Sequence, residues 1–226
     1  MSHPVVAQLQ RGVIVEFDFA VLNGHACLLD ICRARLEKED VKFDAMLMAR
    51  SMNGRSFSYV INSICSKQGK TVEVPAVVAD CNAAFAEKLS ESLDKIPASF
   101  LKFVKAATAK NMKVVIVTRL DAEAVQAALE SVQSDLLVVL HDVPNGFGFN
   151  TWEGWRRAAR KCNLHDRMCV AVAGSGYSMK GALNSGMFTV AKPNALTEHQ
   201  DFGGSDISLT DFNTDILDDM TRFLRM

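Results

Sequence analysis

The sequence predicts an α/β protein with a parallel sheet and an all-helical insertion. Three observations carry this. Short runs rich in Val, Ile and Leu recur along the chain, each flanked by polar or glycine residues, the pattern of strands buried on both faces. Helical patterns alternate with most of them, which places parallel strands and crossover helices in one domain. Between about residues 23 and 95 the strand signal all but disappears and helical periodicity takes over.

The first strand is Val13 to Phe17. The insertion follows, with amphipathic helices at Leu28–Glu37, Phe43–Arg50, Ser56–Ser66 and Val77–Leu93. Breaks such as Asn53-Gly54 and Gly69-Lys70 separate them. Ala98 to Asn111 reads as a helix because Phe100, Leu101, Val104 and Ala107 fall at helical spacing. Val114 to Thr118 is the second strand, and Asp121 can cap a helix over Ala122–Val132. Leu136 to Leu140 is the third strand, and Thr151 can cap a helix over Trp152–Cys162. Cys169 to Val172 is the fourth strand, Ser178 to Ser185 a short helix, and Met187 to Ala191 a fifth strand. The expected division is a core of residues 1–22 and 96–226 with residues 23–95 as a helical cap.

Composition narrows the function classes. The 226 residues suffice for one domain with an insertion. A net charge of −1 gives no electrostatic case for nucleic acid or an acidic membrane. No apolar run approaches the roughly 20 residues that span a bilayer. Met1 to Gly12 lacks the basic start, apolar middle and small-residue end of a signal peptide, so the expected compartment is the cytoplasm. The six cysteines form no Cys-x-x-Cys pair and have no histidine at zinc spacing, so they read as buried thiols in a reducing compartment.

The chemistry starts at Glu16 and Asp18. Strand geometry puts side chains at i and i+2 on one face, so the two carboxylates are expected to point together off a buried strand. The end of such a strand is where α/β sheets bind ligands. A Gly-Ser-Gly turn at residues 174–176 follows the fourth strand and opens a helix. It reads either as a tight strand-to-helix turn or as a metal-free anion cradle on helix N–H groups. His141-Asp142 is no ready-made dyad, because adjacent strand residues point to opposite faces.

This layout resembles the haloacid dehalogenase superfamily, in its phosphoglycolate-phosphatase and β-phosphoglucomutase-like branch. The resemblance runs from Gly12 to Phe212. It is carried by Asn53-Gly54-Arg55-Ser56, by the strand Lys113 to Thr118, by Ala182 to Met187, and by Thr197 to Asp206 with its Gln200-Asp201-Phe202 core. It implies a Rossmann-like core with a helical cap inserted after the first strand.

The family's catalytic motifs are degenerate in this chain. The nucleophile position holds Glu16 where the family has aspartate, and the acid–base position holds Asp18, which matches. Phe19 replaces a glycine beside the phosphate. Thr118 matches the hydroxyl that hydrogen-bonds the phosphoryl group, and reads equally as a polar strand end capping the next helix. Phe149 stands at or near the place of the motif lysine. Ala173-Gly174 replaces the two acids that hold Mg²⁺.

These residues together lead to an expectation of a catalytically inactive member, a small-anion-binding or regulatory module. The expected anion ligands are Thr118, Arg119, Ser175 and, from the cap, Arg55. Arg119 reads alternatively as a partner of Asp121 or of a cap carboxylate, and Arg55 as an exposed helix-end charge. No metal or other cofactor is expected, and the partners are a small anionic or phosphorylated ligand in the cleft or another protein. The rival expectation is a weak or altered phosphatase in which Glu16 attacks phosphorus and Asp18 is acid and base, with Mg²⁺ bound. A third is a purely structural subunit of an assembly.

Overall fold

The computed structural model describes residues 10–44, 46, 51, 55–130, 137–140 and 151–224, with residues 137–140 described as backbone. Six parallel strands form one sheet in the order β3-β2-β1-β4-β5-β6. They are β1 (Arg11–Glu16), β2 (Met112–Thr118), β3 (Leu137–Leu140), β4 (Cys169–Ala173), β5 (Phe188–Ala191) and β6 (Ile207–Ser208). β1 is central: Val15 pairs with Ile116 on one side and with Val172 on the other. The chain leaves β1 for β2 on one flank and reaches β4 on the other, so the strand order reverses at β1. A crevice for ligands opens at such a reversal, outside the carboxyl ends of the strands.

The two sheet faces build two apolar clusters, and side chains are shared between them by strict alternation. Val13, Val15, Val114, Ile116, Val170 and Val172 face one cluster. Ile14, Val115, Val117, Cys169, Ala171 and Ala173 face the other. Burial on both faces is why these strands read as continuous apolar runs. The first cluster continues into the helices that follow β1, through Leu28, Phe57, Val77 and Phe85.

Those helices are α1 (Gly24–Leu36), α2 (Phe57–Lys67) and α3 (Val74–Ser90). Ser56 caps α2 by accepting a hydrogen bond from the Tyr59 N–H at 3.3 Å. α3 starts three residues before the predicted Val77, because Pro75 is accommodated in its first turn, where its missing N–H costs nothing. The predicted helix at Phe43–Arg50 lies largely outside the described residues, as does Asn53-Gly54. α4 (Ala98–Ala109) buries Phe100, Phe103, Val104 and Ala107.

α5 (Ala122–Leu129) is capped by Asp121, as its sequence predicts, and closes at Glu130, earlier than Val132. α6 (Trp152–Lys161) is capped by Thr151, also as predicted. α7 (Gly176–Ser185) begins two residues before the predicted Ser178, because Ser175 is its cap. It ends at Gly186 with φ +76°, the left-handed position that favours glycine. The sequence reading did not include β6 or the last helix, α8 (Ile216–Phe223). Among the described residues no helix is long and apolar enough to cross a membrane.

Candidate active site

β1 ends one residue earlier than predicted. Phe17–Val21 forms a π-helical turn, closed by the Leu22 N–H donating to the Phe17 carbonyl at 2.9 Å. Glu16 is the last strand residue and Asp18 lies inside the turn, so the i, i+2 strand rule does not govern the pair. The two carboxylates are held by different neighbours, one on each flank of β1.

Asp18 belongs to the β2 flank. Its carboxylate accepts from the Thr118 hydroxyl at 2.5 Å and from the Arg119 N–H at 3.0 Å. The Leu120 N–H in turn donates to the Thr118 oxygen at 3.0 Å. Burial pushes the Asp18 carboxyl up to about 6, against the hydrogen bonds from Thr118 and Arg119 and the Arg119 charge, all of which pull it down.

Glu16 belongs to the β4 flank. One carboxylate oxygen accepts from the Gly174 N–H at 2.9 Å. The other accepts a short hydrogen bond from the Ser178 hydroxyl. Behind it, the Ser175 hydroxyl donates to the Ser178 oxygen at 3.2 Å, while the Ser175 oxygen accepts from the Ser178 N–H at 3.1 Å. Gly174 is required for contact here. A Cβ at this position would stand 2.5 Å from the Phe19 carbonyl carbon and 2.6 Å from the Ala20 nitrogen.

The Phe19 ring is buried between His25, with centroids 4.5 Å apart, and Phe85 of α3, at 5.7 Å. Asn194 holds His25 through a 3.2 Å contact to its Nδ1, and burial pushes the imidazole down to about 3, so it is neutral. Arg119 reaches α3, donating to the Asn82 side chain at 3.0 Å with its guanidinium 5.6 Å from the centre of the Phe85 ring.

Comparison with protein-family models and with curated proteins gives no match. Solved structures do match over nearly the whole chain. A HAD hydrolase of family IA, variant 3, from Entamoeba histolytica superposes with a TM-score of 0.70 at 14% identity, over 96% of this chain and 100% of that one. β-Phosphoglucomutase from Clostridium difficile gives 0.68 at 12% identity, over 96% and 98% of the two chains. CbbY from Rhodobacter sphaeroides, in complex with phosphate, gives 0.67 at 14% identity, over 92% and 96%.

The chain has the haloacid dehalogenase fold.

Within this fold, the expected site residues are divided between the two flanks of β1 and the start of α2. Glu16, Asp18, Thr118, Arg119 and Ser175 all lie at the carboxyl ends of β1, β2 and β4. The Thr118 hydroxyl donates to Asp18 at 2.5 Å and the Ser175 hydroxyl to Ser178 at 3.2 Å. The Arg119 backbone serves Asp18, while its side chain turns to Asn82 rather than to Asp121. Arg55 is exposed; its guanidinium donates to the Tyr59 hydroxyl at 2.7 Å and stands 4.6 Å from that ring's centre. Its bonding is thus local to the start of α2. Phe149 and His141-Asp142 lie outside the described residues.

The sequence reading missed Gly174 and Ser178 as the groups that hold Glu16. Their signal was present in Gly174-Ser175-Gly176-Tyr177-Ser178, where a serine three residues past a cap returns to the helix's entry face.

Proposed function

We propose that the protein is a haloacid dehalogenase fold without phosphatase activity, serving as a binding or regulatory module. One observation carries this reading: both oxygens of Glu16, at the nucleophile position that the resemblance implies, accept hydrogen bonds from the protein's own Gly174 and Ser178. A carboxylate held by two buried donors is poorly placed and weakened as a nucleophile. Near-attack geometry is lost with errors of about 0.5–1 Å. The glutamate's extra methylene and its tether to the β4 flank act in the same direction.

Magnesium, which the family resemblance implies for active members, does not fit these residues. A hard cation needs oxygen ligands, commonly one or two carboxylates. Here the β4 end presents an N–H and an O–H to Glu16, and Ala173 and Gly174 supply no acid. No group of three His, Cys, Asp or Glu side chains suited to a metal occurs among the described residues. Without a metal ion, the charge on a transferring phosphoryl group loses the Lewis-acid compensation that such chemistry depends on.

One observation favours the rival reading of a weak hydrolase. Asp18, raised to about 6 by burial, titrates in the range suited to general acid–base catalysis. Turnover separates the two. The first prediction is that phosphate monoesters, with or without millimolar Mg²⁺, are hydrolysed no faster by the wild type than by Glu16→Ala. Metal-dependent turnover that disappears in Glu16→Ala and Asp18→Asn would establish the hydrolase.

A further inference from the structure

A cavity of about 470 Å³ opens beside the π-turn, and its lining includes none of Glu16, Asp18, Thr118 or Ser178. Its apolar wall is drawn from Val21 and Leu22 of the turn, Ala26 of α1 and Leu196. Its polar lining is Asn23, at the start of α1, and Lys192 and Asn194, in the segment that leaves β5. This volume lies within the range of small-molecule sites, and a mostly apolar wall with a few polar groups is their usual make-up.

Two donors at this cavity are unspent. The half-buried Lys192 ammonium stands 5.8 Å from the centre of the Phe212 ring and has no ion-pair or hydrogen-bond partner among the described residues. Asp211 attracts it from a distance, but that carboxylate accepts from the Ser99 hydroxyl and the Phe212 N–H, each at 2.8 Å. Burial pushes the Lys192 amine below its usual range, which marks a cation short of compensating charge. Asn194 is fixed by its carbonyl oxygen, which accepts from the Leu196 N–H at 2.9 Å and the Thr197 N–H at 3.2 Å. Its amide nitrogen carries two hydrogens. One faces His25 Nδ1, and the other has no acceptor among the described residues.

We propose that this cavity binds a small aliphatic monocarboxylate. The carboxylate bridges the Lys192 ammonium and the free Asn194 N–H, and the hydrocarbon lies on Val21, Leu22, Ala26 and Leu196. One ammonium and one amide hydrogen match a single negative charge with two oxygens. A phosphate dianion has more charge and more acceptors than these two groups satisfy. The apolar wall adds affinity only to a ligand with hydrocarbon to bury. The site stands independently of whether Glu16 supports hydrolysis.

The test titrates the full chain with 4-methylpentanoate, 4-methylpentanamide and inorganic phosphate, read by amide chemical shifts. The wild type binds the carboxylate saturably, with shifts centred on residues 19–26 and 192–196. The neutral amide and phosphate bind at least about tenfold more weakly, the loss expected on removing one charge-assisted contact. Lys192→Met weakens the carboxylate about tenfold, and Ala26→Leu, which fills the cavity, abolishes binding. Equal binding of acid and amide, tighter binding of phosphate, or no saturable binding would overturn the proposal. These three arms use the wild type, so they decide the matter even if a variant misfolds.

Discussion

At the scale of single residues, the two buried groups beside the π-turn respond to pH in opposite directions. Asp18 is raised from 3.8 to about 6, so the folded state holds its proton more tightly than the unfolded chain. Its contribution is greatest below pH 4 and is lost as pH rises through 6. His25 is lowered from 6.5 to about 3, so its contribution is full above pH 6.5 and is lost as pH falls toward 3. By linkage, acidification from pH 7 to 4 gains about 2 kcal/mol through Asp18 and loses about 3 through His25. The two nearly offset in the wild type. Urea unfolding at both pH values is expected to show Asp18→Asn losing about 2 kcal/mol more than wild type on acidification. His25→Gln, which keeps an acceptor for Asn194, loses about 3 kcal/mol less. Superimposable pH profiles would mean that neither group is shifted. Ser178 offers a second test at this scale. Ser178→Ala takes a hydroxyl from a buried carboxylate, a loss of about 1.5–3 kcal/mol. A fall of several degrees in Tm is expected, with no gain in phosphatase activity. A gain would show that Ser178 was restraining a competent nucleophile.

At the scale of elements, the parts that a sequence shows well are those set by local chemistry. β1, β2 and β4 were legible because burial on both faces makes every residue apolar. The starts of α5 and α6 were legible because Asp121 and Thr151 are caps that bond within their own first turns. The π-turn was not, since an i to i+5 closure at Phe17 has no local signature beside an apolar strand. The Glu16 partners were not legible as partners either, because they arrive from 158 and 162 residues away. β6, two residues long, is too short to carry a period. The close approach of the β4–α7 turn to the π-turn is testable through Gly174. A methyl group there meets backbone atoms of Phe19 and Ala20, which cannot rotate away. Gly174→Ala is expected to cost about 1–3 kcal/mol, the usual range for overpacking, measured as a lowered urea midpoint. An unchanged midpoint would show that the two turns are free to part.

At the scale of the whole molecule, one apolar cluster runs from β1 through α1, α2 and α3 and on to α4 and α8. Phe85 is fully buried in it and stacks on Phe19, so α3 and the π-turn share an aromatic contact. Phe85→Ala is expected to cost about 3–5 kcal/mol. Because the cluster is continuous, calorimetry should show the single transition moving down, rather than a separate early melting of residues 23–95. Two resolved transitions would place a cooperative boundary inside the cluster.

The way Glu16 spans to the β4 flank sets a one-way gate on sequence change. Shortening it to aspartate, the residue implied for active relatives, withdraws the acceptor from Gly174 and Ser178 and strands two buried donors. Each stranded donor costs about 1–3 kcal/mol. Nothing is recovered in exchange, since Ala173 and Gly174 still bring no acid to bind a cation. Installing an acid at 174 first is no easier, because that position admits no side chain while Phe19 and Ala20 stand where they do. On the proposed reading, converting this end of the sheet to the arrangement implied for active relatives requires several coordinated replacements, and each single step lowers stability.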